Sequence, residues 1–193
     1  MNVLVSFASP KEKFELPKTY ADRIDYIVTG IGKVAASSSL MKELHRVQPD
    51  LVLNIGTSGT LSLEVGDIVA STHIVDRDYM QNKGLELECE LLDTYGKPLP
   101  LPSIIQGKET NNQMIVSTGD NFVTEKQQAH GDVVDMEAFA MAWVCRMQKI
   151  PFISIKFVTD VIGDNSIDIW EDRLASARKG LAEYFERYRI TDI

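Results

Sequence analysis

The chain has 193 residues, 44% apolar and 25% charged, with a formal net charge of −8. That length suits one domain with a substantial core, and no stretch is apolar for long enough to span a membrane. The acidic balance disfavours attraction to nucleic acid or anionic membranes, which depends on neutralising phosphate with Lys and Arg.

Residues 3–7 read as a short buried strand and 24–29 as another, ending at Gly30-Ile31-Gly32. Over 33–47 the apolar Val34, Leu40, Met41, Leu44 and Val47 fall near helical spacing, so a helix follows the glycines and stops before Pro49. Residues 51–55 form an apolar run broken only by Asn54 and end in Gly56-Thr57-Ser58-Gly59, which reads as a loop. Val65-Gly66-Asp67 turns into a strand over 68–75. Residues 80–112 are polar, with Pro and Gly and weak periodicity, and form a long excursion. A strand over 114–118 ends in Gly119-Asp120-Asn121-Phe122. A helix over 136–148 is apolar on nearly all sides, and 151–158 is a buried strand that delivers Thr159-Asp160. Over 168–188, Trp170, Leu174, Ala177, Leu181, Tyr184, Phe185 and Tyr188 follow one stripe, so this helix docks on the sheet with its aromatics in the core. The rhythm of strands, tight loops and helices predicts a single α/β domain over 1–193.

Cys89 and Cys145 stand in unlike contexts, so no disulfide is expected, and with His45, His73 and His130 they lack the spacing of a zinc site. No metal is expected. The start Met1-Asn2-Val3-Leu4-Val5 has no basic segment before a long apolar run, which predicts a cytoplasmic location.

Two acidic residues, Asp135 and Glu137, lead into an apolar helix, and Asp160 ends a buried strand. Buried carboxylates lose solvation, which makes Glu137 and Asp160 candidates for a site. Gly30-Ile31-Gly32-Lys33-Val34-Ala35 imitates a dinucleotide-binding fingerprint, but the next strand ends in Asn54-Ile55-Gly56, with no acidic residue to hold a ribose. A tight strand-to-helix turn explains the same glycines, and no cofactor is expected. The amides and hydroxyls of Gly56-Thr57-Ser58-Gly59 suit an oxygen-rich ligand such as phosphate or sugar, or equally a hydroxyl-capped turn.

Six motifs follow one another along the chain: Gly30-Ile31-Gly32-Lys33-Val34-Ala35-Ala36, Asn54-Ile55-Gly56-Thr57-Ser58-Gly59, Val65-Gly66-Asp67-Ile68-Val69, Ser117-Thr118-Gly119-Asp120-Asn121-Phe122-Val123, Asp135-Met136-Glu137-Ala138 and Thr159-Asp160-Val161. Their order resembles that of the nucleoside phosphorylase/nucleosidase superfamily, above all the bacterial 5'-methylthioadenosine/S-adenosylhomocysteine nucleosidases. The resemblance implies a mixed twisted sheet flanked by helices, a homodimer, and a small-molecule purine nucleoside as partner. It puts Glu137 on the ribose 2' and 3' hydroxyls, Met136 against the sugar, and Asp160 as the acid towards purine N7. Phe122 stacks on the base and Val123 reads it through the backbone. Aligning the first strands places the water-activating Glu at Glu12.

The implied reaction is hydrolysis of an N-glycosidic bond, with Thr57 and Lys156 as further substrate-binding residues. Phosphorolytic relatives carry Arg where Asn54 stands, so water is favoured over phosphate as nucleophile. Lys33 and Lys156 are alternative anion holders, or buried stems with wet heads. The chain departs from the family pattern at Ser9-Pro10-Lys11-Glu12-Lys13, in a shortened stretch from Glu12 to Gly30, at Lys156 in place of Arg, and over 80–112. The alternatives are a purine nucleoside phosphorylase, a futalosine-type hydrolase, and a nucleoside-binding relative without turnover.

Overall fold

Side-chain alternation along the central strands decides the layering. In β1 (Asn2–Phe7), Val3, Val5 and Phe7 point to one face and Leu4 to the other. In β3 (Leu51–Thr60), Leu51, Leu53 and Ile55 likewise oppose Val52. In β11 (Phe152–Val161), Ile153, Ile155 and Phe157 oppose Phe152 and Val158. Helix α1 (Lys33–Val47) and helix α3 (Ala138–Gln148) cover the Leu4, Val52 and Val158 face. Helix α4 (Ile167–Arg187) covers the other through Ala177, Leu181, Tyr184 and Phe185. The result is a mixed sheet between two helical layers, as the sequence predicts.

The computed structural model describes residues 1–81, 86–92, 101–163 and 167–189. The remaining strands are β2 (Arg23–Val28), β4 (Ile68–Ser71), β5 (His73–Asp76), β6 (Glu90–Leu91), β7 (Ser103–Ile105), β8 (Lys108–Thr110), β9 (Ile115–Thr118) and β10 (Val133–Asp135), and a short helix α2 spans Arg77–Met80. The order across the sheet is β6-β5-β9-β10-β3-β11-β4-β7-β8, with β1 paired in parallel to both β2 and β3. Strand β3 runs parallel to β11 for its length, and its last residues pair with β10.

The expected loop at Gly56-Thr57-Ser58-Gly59 is strand, because β11 pairs with each of these residues and draws their backbone into the ladder. The single strand expected over 68–75 is two: β4 pairs antiparallel with β11 and β5 parallel with β9. Between them Ser71 Oγ accepts from the His73 amide at 2.9 Å. Helix α3 starts at Ala138 rather than 136, because Glu137 holds a non-helical backbone and Asp135 accepts from the Ala138 amide at 2.9 Å. The excursion over 80–112 contains β6 and the β7–β8 hairpin; its residues 82–85 and 93–100 lie outside the described residues. Gln106 and Gly107 close the hairpin with φ of 51° and 72°, the paired positive φ of a tight two-residue turn.

Candidate active site

Strands β1, β3 and β11 run in one direction and β9 and β10 in the other, so the segments that follow β1 and β10 approach the second half of β3 from opposite directions. They enclose a cavity of about 220 Å³ lined by Glu12, Thr57, Phe122, Val123, Met136, Glu137, Asp160 and Trp170, among others. A register shift between Val158 and Asp160 interrupts the β11–β3 ladder there. Such a bulge re-aims side chains at a strand end, and Asp160 faces the cavity beyond it. The Thr159 hydroxyl donates to Asp160 Oδ1 at 2.7 Å. Gly59 is the partner of Asp160 in register, and a Cβ there would stand 2.8 Å from Asp160 Oδ2.

Glu12 ends a 3₁₀ turn, Pro10–Glu12, capped by Ser9. Ser9 and Glu12 cap one another's backbone, which folds the carboxylate back against the sheet instead of out to solvent. Its Oε1 accepts from the Thr57 amide at 2.9 Å and the Thr57 hydroxyl at 2.8 Å, and Oε2 from the Ser9 amide at 3.2 Å. Gly56 lies beneath it, where a Cβ would stand 3.1 Å from Glu12 Oε1, a tight approach that the carboxylate would have to yield to.

Asp135, Glu137, Lys156 and Glu12 form one buried charge cluster. Lys156 Nζ lies 2.9 Å from Asp135 Oδ2, with side chains 2% and 1% exposed. Burial alone would raise the Asp135 carboxyl, but Lys156, the Thr118 hydroxyl and the Ala138 amide hold it below the usual carboxylate range. Burial opposes charge on Lys156 too, yet Asp135, Glu137 and Glu12 keep its pKa above the ordinary lysine value. Glu137 has no such full compensation. Burial and the Asp135 charge push it up to about 7, against the pull of Lys156 and the Gly32 amide, which donates to Oε1 at 2.9 Å.

That amide explains the glycine motif. Gly30 and Gly32 hold φ of 87° and 90°, a region that favours glycine, and the turn aims the Gly32 and Lys33 amides at Glu137 and at Asp120, the latter at 2.7 Å. The turn anchors two later carboxylates.

The loop after β9 is held by Arg77. Its fully buried guanidinium donates to the carbonyls of Ser117 and Asp135, both at 2.8 Å, of Gly119 at 3.0 Å and of Asn121 at 2.7 Å. One side chain therefore ties the Phe122 loop to the segment that presents Glu137.

Residues 5–188 match the family model of the phosphorylase superfamily. The chain belongs to this superfamily. It is 32% identical over 176 residues to the 5'-methylthioadenosine/S-adenosylhomocysteine nucleosidase of Anoxybacillus flavithermus, covering 77% of this chain and 72% of the relative. In fold it is similar to a nucleosidase of that name from Colwellia psychrerythraea solved with adenine, at TM-score 0.71 and 21% identity, covering 100% and 98% of the two chains. It is also similar in fold to a futalosine hydrolase mutant of Helicobacter pylori, at TM-score 0.75 and 16% identity, covering 96% of each.

Of the residues singled out in this superfamily member's sequence, Glu12, Thr57, Phe122, Val123, Met136, Glu137 and Asp160 line one cavity. Lys156 is not in that lining: it sits behind the carboxylates as a counter-charge, with no wet head. Lys33 is also committed, bonding Asp76 at 3.0 Å and Asp78 at 2.7 Å. Asn54 is buried, with its amide near Met141 and its carbonyl accepting from Ser154 at 3.1 Å. Sequence reasoning missed Arg77 and placed Trp170 in the core. Trp170 is half-buried, lines the cavity, and donates from Nε1 to Thr57 Oγ1 at 2.8 Å. Its place at the start of the α4 stripe, closest in sequence to Asp160, was the available signal.

Proposed function

We propose that this chain hydrolyses the N-glycosidic bond of a purine nucleoside of the 5'-methylthioadenosine or S-adenosylhomocysteine kind, releasing the free purine and a ribose derivative. The observation that carries the reading is that Glu12, Glu137 and Asp160, remote in sequence, border a single cavity together with Phe122. The names of the curated relatives support it.

In this reading the ribose 2' and 3' hydroxyls bond to Glu137 with Met136 against the sugar, while Phe122 stacks on the base and the Val123 backbone reads it. Asp160 gives a proton to purine N7 as the C1'–N9 bond breaks and its electron pair passes into the base. Water attacks C1' from the opposite face and gives its proton to Glu12. The ring gains positive charge as the bond opens, and a carboxylate on the diol favours that charge. Each proton transfer contributes about 10²- to 10⁴-fold. No cofactor is needed.

Water is favoured over phosphate because, among the described residues, the cations Arg77 and Lys156 are already engaged. Arg77 is surrounded by carbonyls, Lys156 by carboxylates, and Asn54 stands where a guanidinium would clamp phosphate. We further propose a cytoplasmic homodimer. Both cysteines are free, in keeping with a reducing compartment. Tyr79 and Trp143, both packed against the buried Phe139, and Met147, 63% exposed one turn on, offer an apolar face to a second copy. Light scattering on the eluted protein reads the assembly directly.

Purified protein is incubated with 5'-methylthioadenosine, S-adenosylhomocysteine, adenosine, inosine and a futalosine-type nucleoside, with and without phosphate, and base release is followed. Release without phosphate is expected, nearly abolished in Asp160→Asn and Glu12→Gln. Release only with phosphate refutes hydrolysis. Tight binding without release over hours, unchanged by Glu12→Gln, identifies a binder instead.

A further inference from the structure

We infer that Trp170 and Thr57 form a hydrogen-bond relay that fixes which oxygen of Glu12 receives the proton of the attacking water, with Trp170 as a positioning residue for the reaction. The inference rests on the hydrolase reading for the role of Glu12. It adds to that reading a donor chain that begins on α4.

An indole N–H can only donate. With Trp170 Nε1 at 2.8 Å, the Thr57 hydroxyl oxygen must accept, so its single proton is left for the carboxylate oxygen 2.8 Å away, Glu12 Oε1. The Thr57 amide donates to the same oxygen at 2.9 Å. Oε1 therefore holds two donors from one residue, while Oε2 accepts the longer 3.2 Å bond from the Ser9 amide. A carboxylate oxygen has about two lone-pair sites, so Oε1 is filled and Oε2 keeps room for a water proton. Without the indole, the Thr57 hydroxyl is free to rotate away from Glu12, and the assignment of the two oxygens is lost.

The fold backs this geometry. The turn that carries Glu12 is fastened to α4 beside Trp170, through the Lys11–Glu171 ion pair and a bond from Arg178 to the Lys11 carbonyl. Glu12 and Trp170 thus share one support, and Thr57 lies between them on β3. Trp170→Phe keeps an aromatic ring at the cavity and removes the donor.

The test measures base release from 5'-methylthioadenosine by the full-length protein and by Trp170→Phe, Thr57→Val, Thr57→Ser and the Trp170→Phe/Thr57→Val double variant. Loss of one such bond predicts a kcat about three- to tenfold lower in Trp170→Phe, with KM within about twofold. Thr57→Val loses at least as much, Thr57→Ser retains most of the rate, and the double variant is no slower than Thr57→Val. The indole N–H resonance of Trp170 shifts in Thr57→Val. An unaltered kcat in Trp170→Phe, a loss confined to KM, a double variant slowed by the product of the two single effects, or an unmoved indole resonance each overturns the relay while the hydrolase reading stands. A wild type that releases no base from any nucleoside overturns both.

Discussion

Replacing Lys156 by Met strands the Asp135 carboxylate inside the protein. The two groups are 2.9 Å apart with side chains 2% and 1% exposed, so neither is screened by water. Removing one partner from a pair buried this deeply costs about 3–5 kcal/mol, because the remaining charge has lost its solvent and keeps only the Thr118 hydroxyl and the Ala138 amide as partners. The pair Lys11–Glu171 in the same molecule has side chains 56% and 48% exposed. Breaking that one is worth about 0–1 kcal/mol. At a typical unfolding entropy for a chain of this length, the Lys156→Met penalty lowers Tm by about 8–12 °C. Urea unfolding followed by circular dichroism at neutral pH measures it, in a cycle with Asp135→Asn and the double variant. The double variant recovers half or more of the loss, since it leaves no orphaned charge, and the Lys156→Met penalty shrinks towards acid pH as Asp135 takes up a proton. A loss below about 1 kcal/mol in Lys156→Met, or a double variant as unstable as the sum of the singles, refutes the argument.

Glu137 binds its proton more tightly folded than unfolded, with a pKa of about 7 against 4.5. Its contribution to stability is therefore fully present below the unfolded value and is lost as pH rises through the folded one. The size is on the order of 3 kcal/mol, and Glu137→Gln flattens this part of a stability–pH curve; an unchanged curve counts against the raised value. If the carboxylate form grips the sugar, kcat/KM climbs on the acid side as pH rises through about 7, read from initial rates across a buffer series. Gly59→Ala puts a methyl 2.8 Å from Asp160 Oδ2, so turnover drops at least about tenfold while the thermal midpoint moves only a few degrees; wild-type turnover contradicts this. Arg77→Lys leaves several buried carbonyls short of a donor and loosens the Phe122 loop, costing on the order of 3 kcal/mol in unfolding assays and raising KM more than it lowers kcat.

Where periodicity is strong, the sequence was enough. The apolar spacing that predicts a helix over 33–47 matches α1, Lys33–Val47, and the α4 stripe from Ala177 to Phe185 faces the sheet. Turn chemistry misled at Gly56-Thr57-Ser58-Gly59, because glycine and hydroxyl residues signal a loop locally but have no say over a strand that β11 and β10 supply from outside. For the same reason Thr72 splits a run that looks continuous: its two halves have partners on different strands. Lys156 and Trp170 were misjudged because each is defined by a neighbour remote in the chain, Asp135 for one and Thr57 for the other.

By itself the order of residues determined the α/β layering, through alternation in strands and the helical stripe, and it marked which acids stand in costly places. Tertiary structure alone decided that Glu12, Glu137 and Asp160 border one cavity, that Lys156 is matched by Asp135, and that an indole reaches Thr57. The division has a physical cause. Burying a periodic apolar face depends on neighbours a few residues away, whereas charge energies and hydrogen bonds depend on separation in space, which only the pairing of distant strands sets.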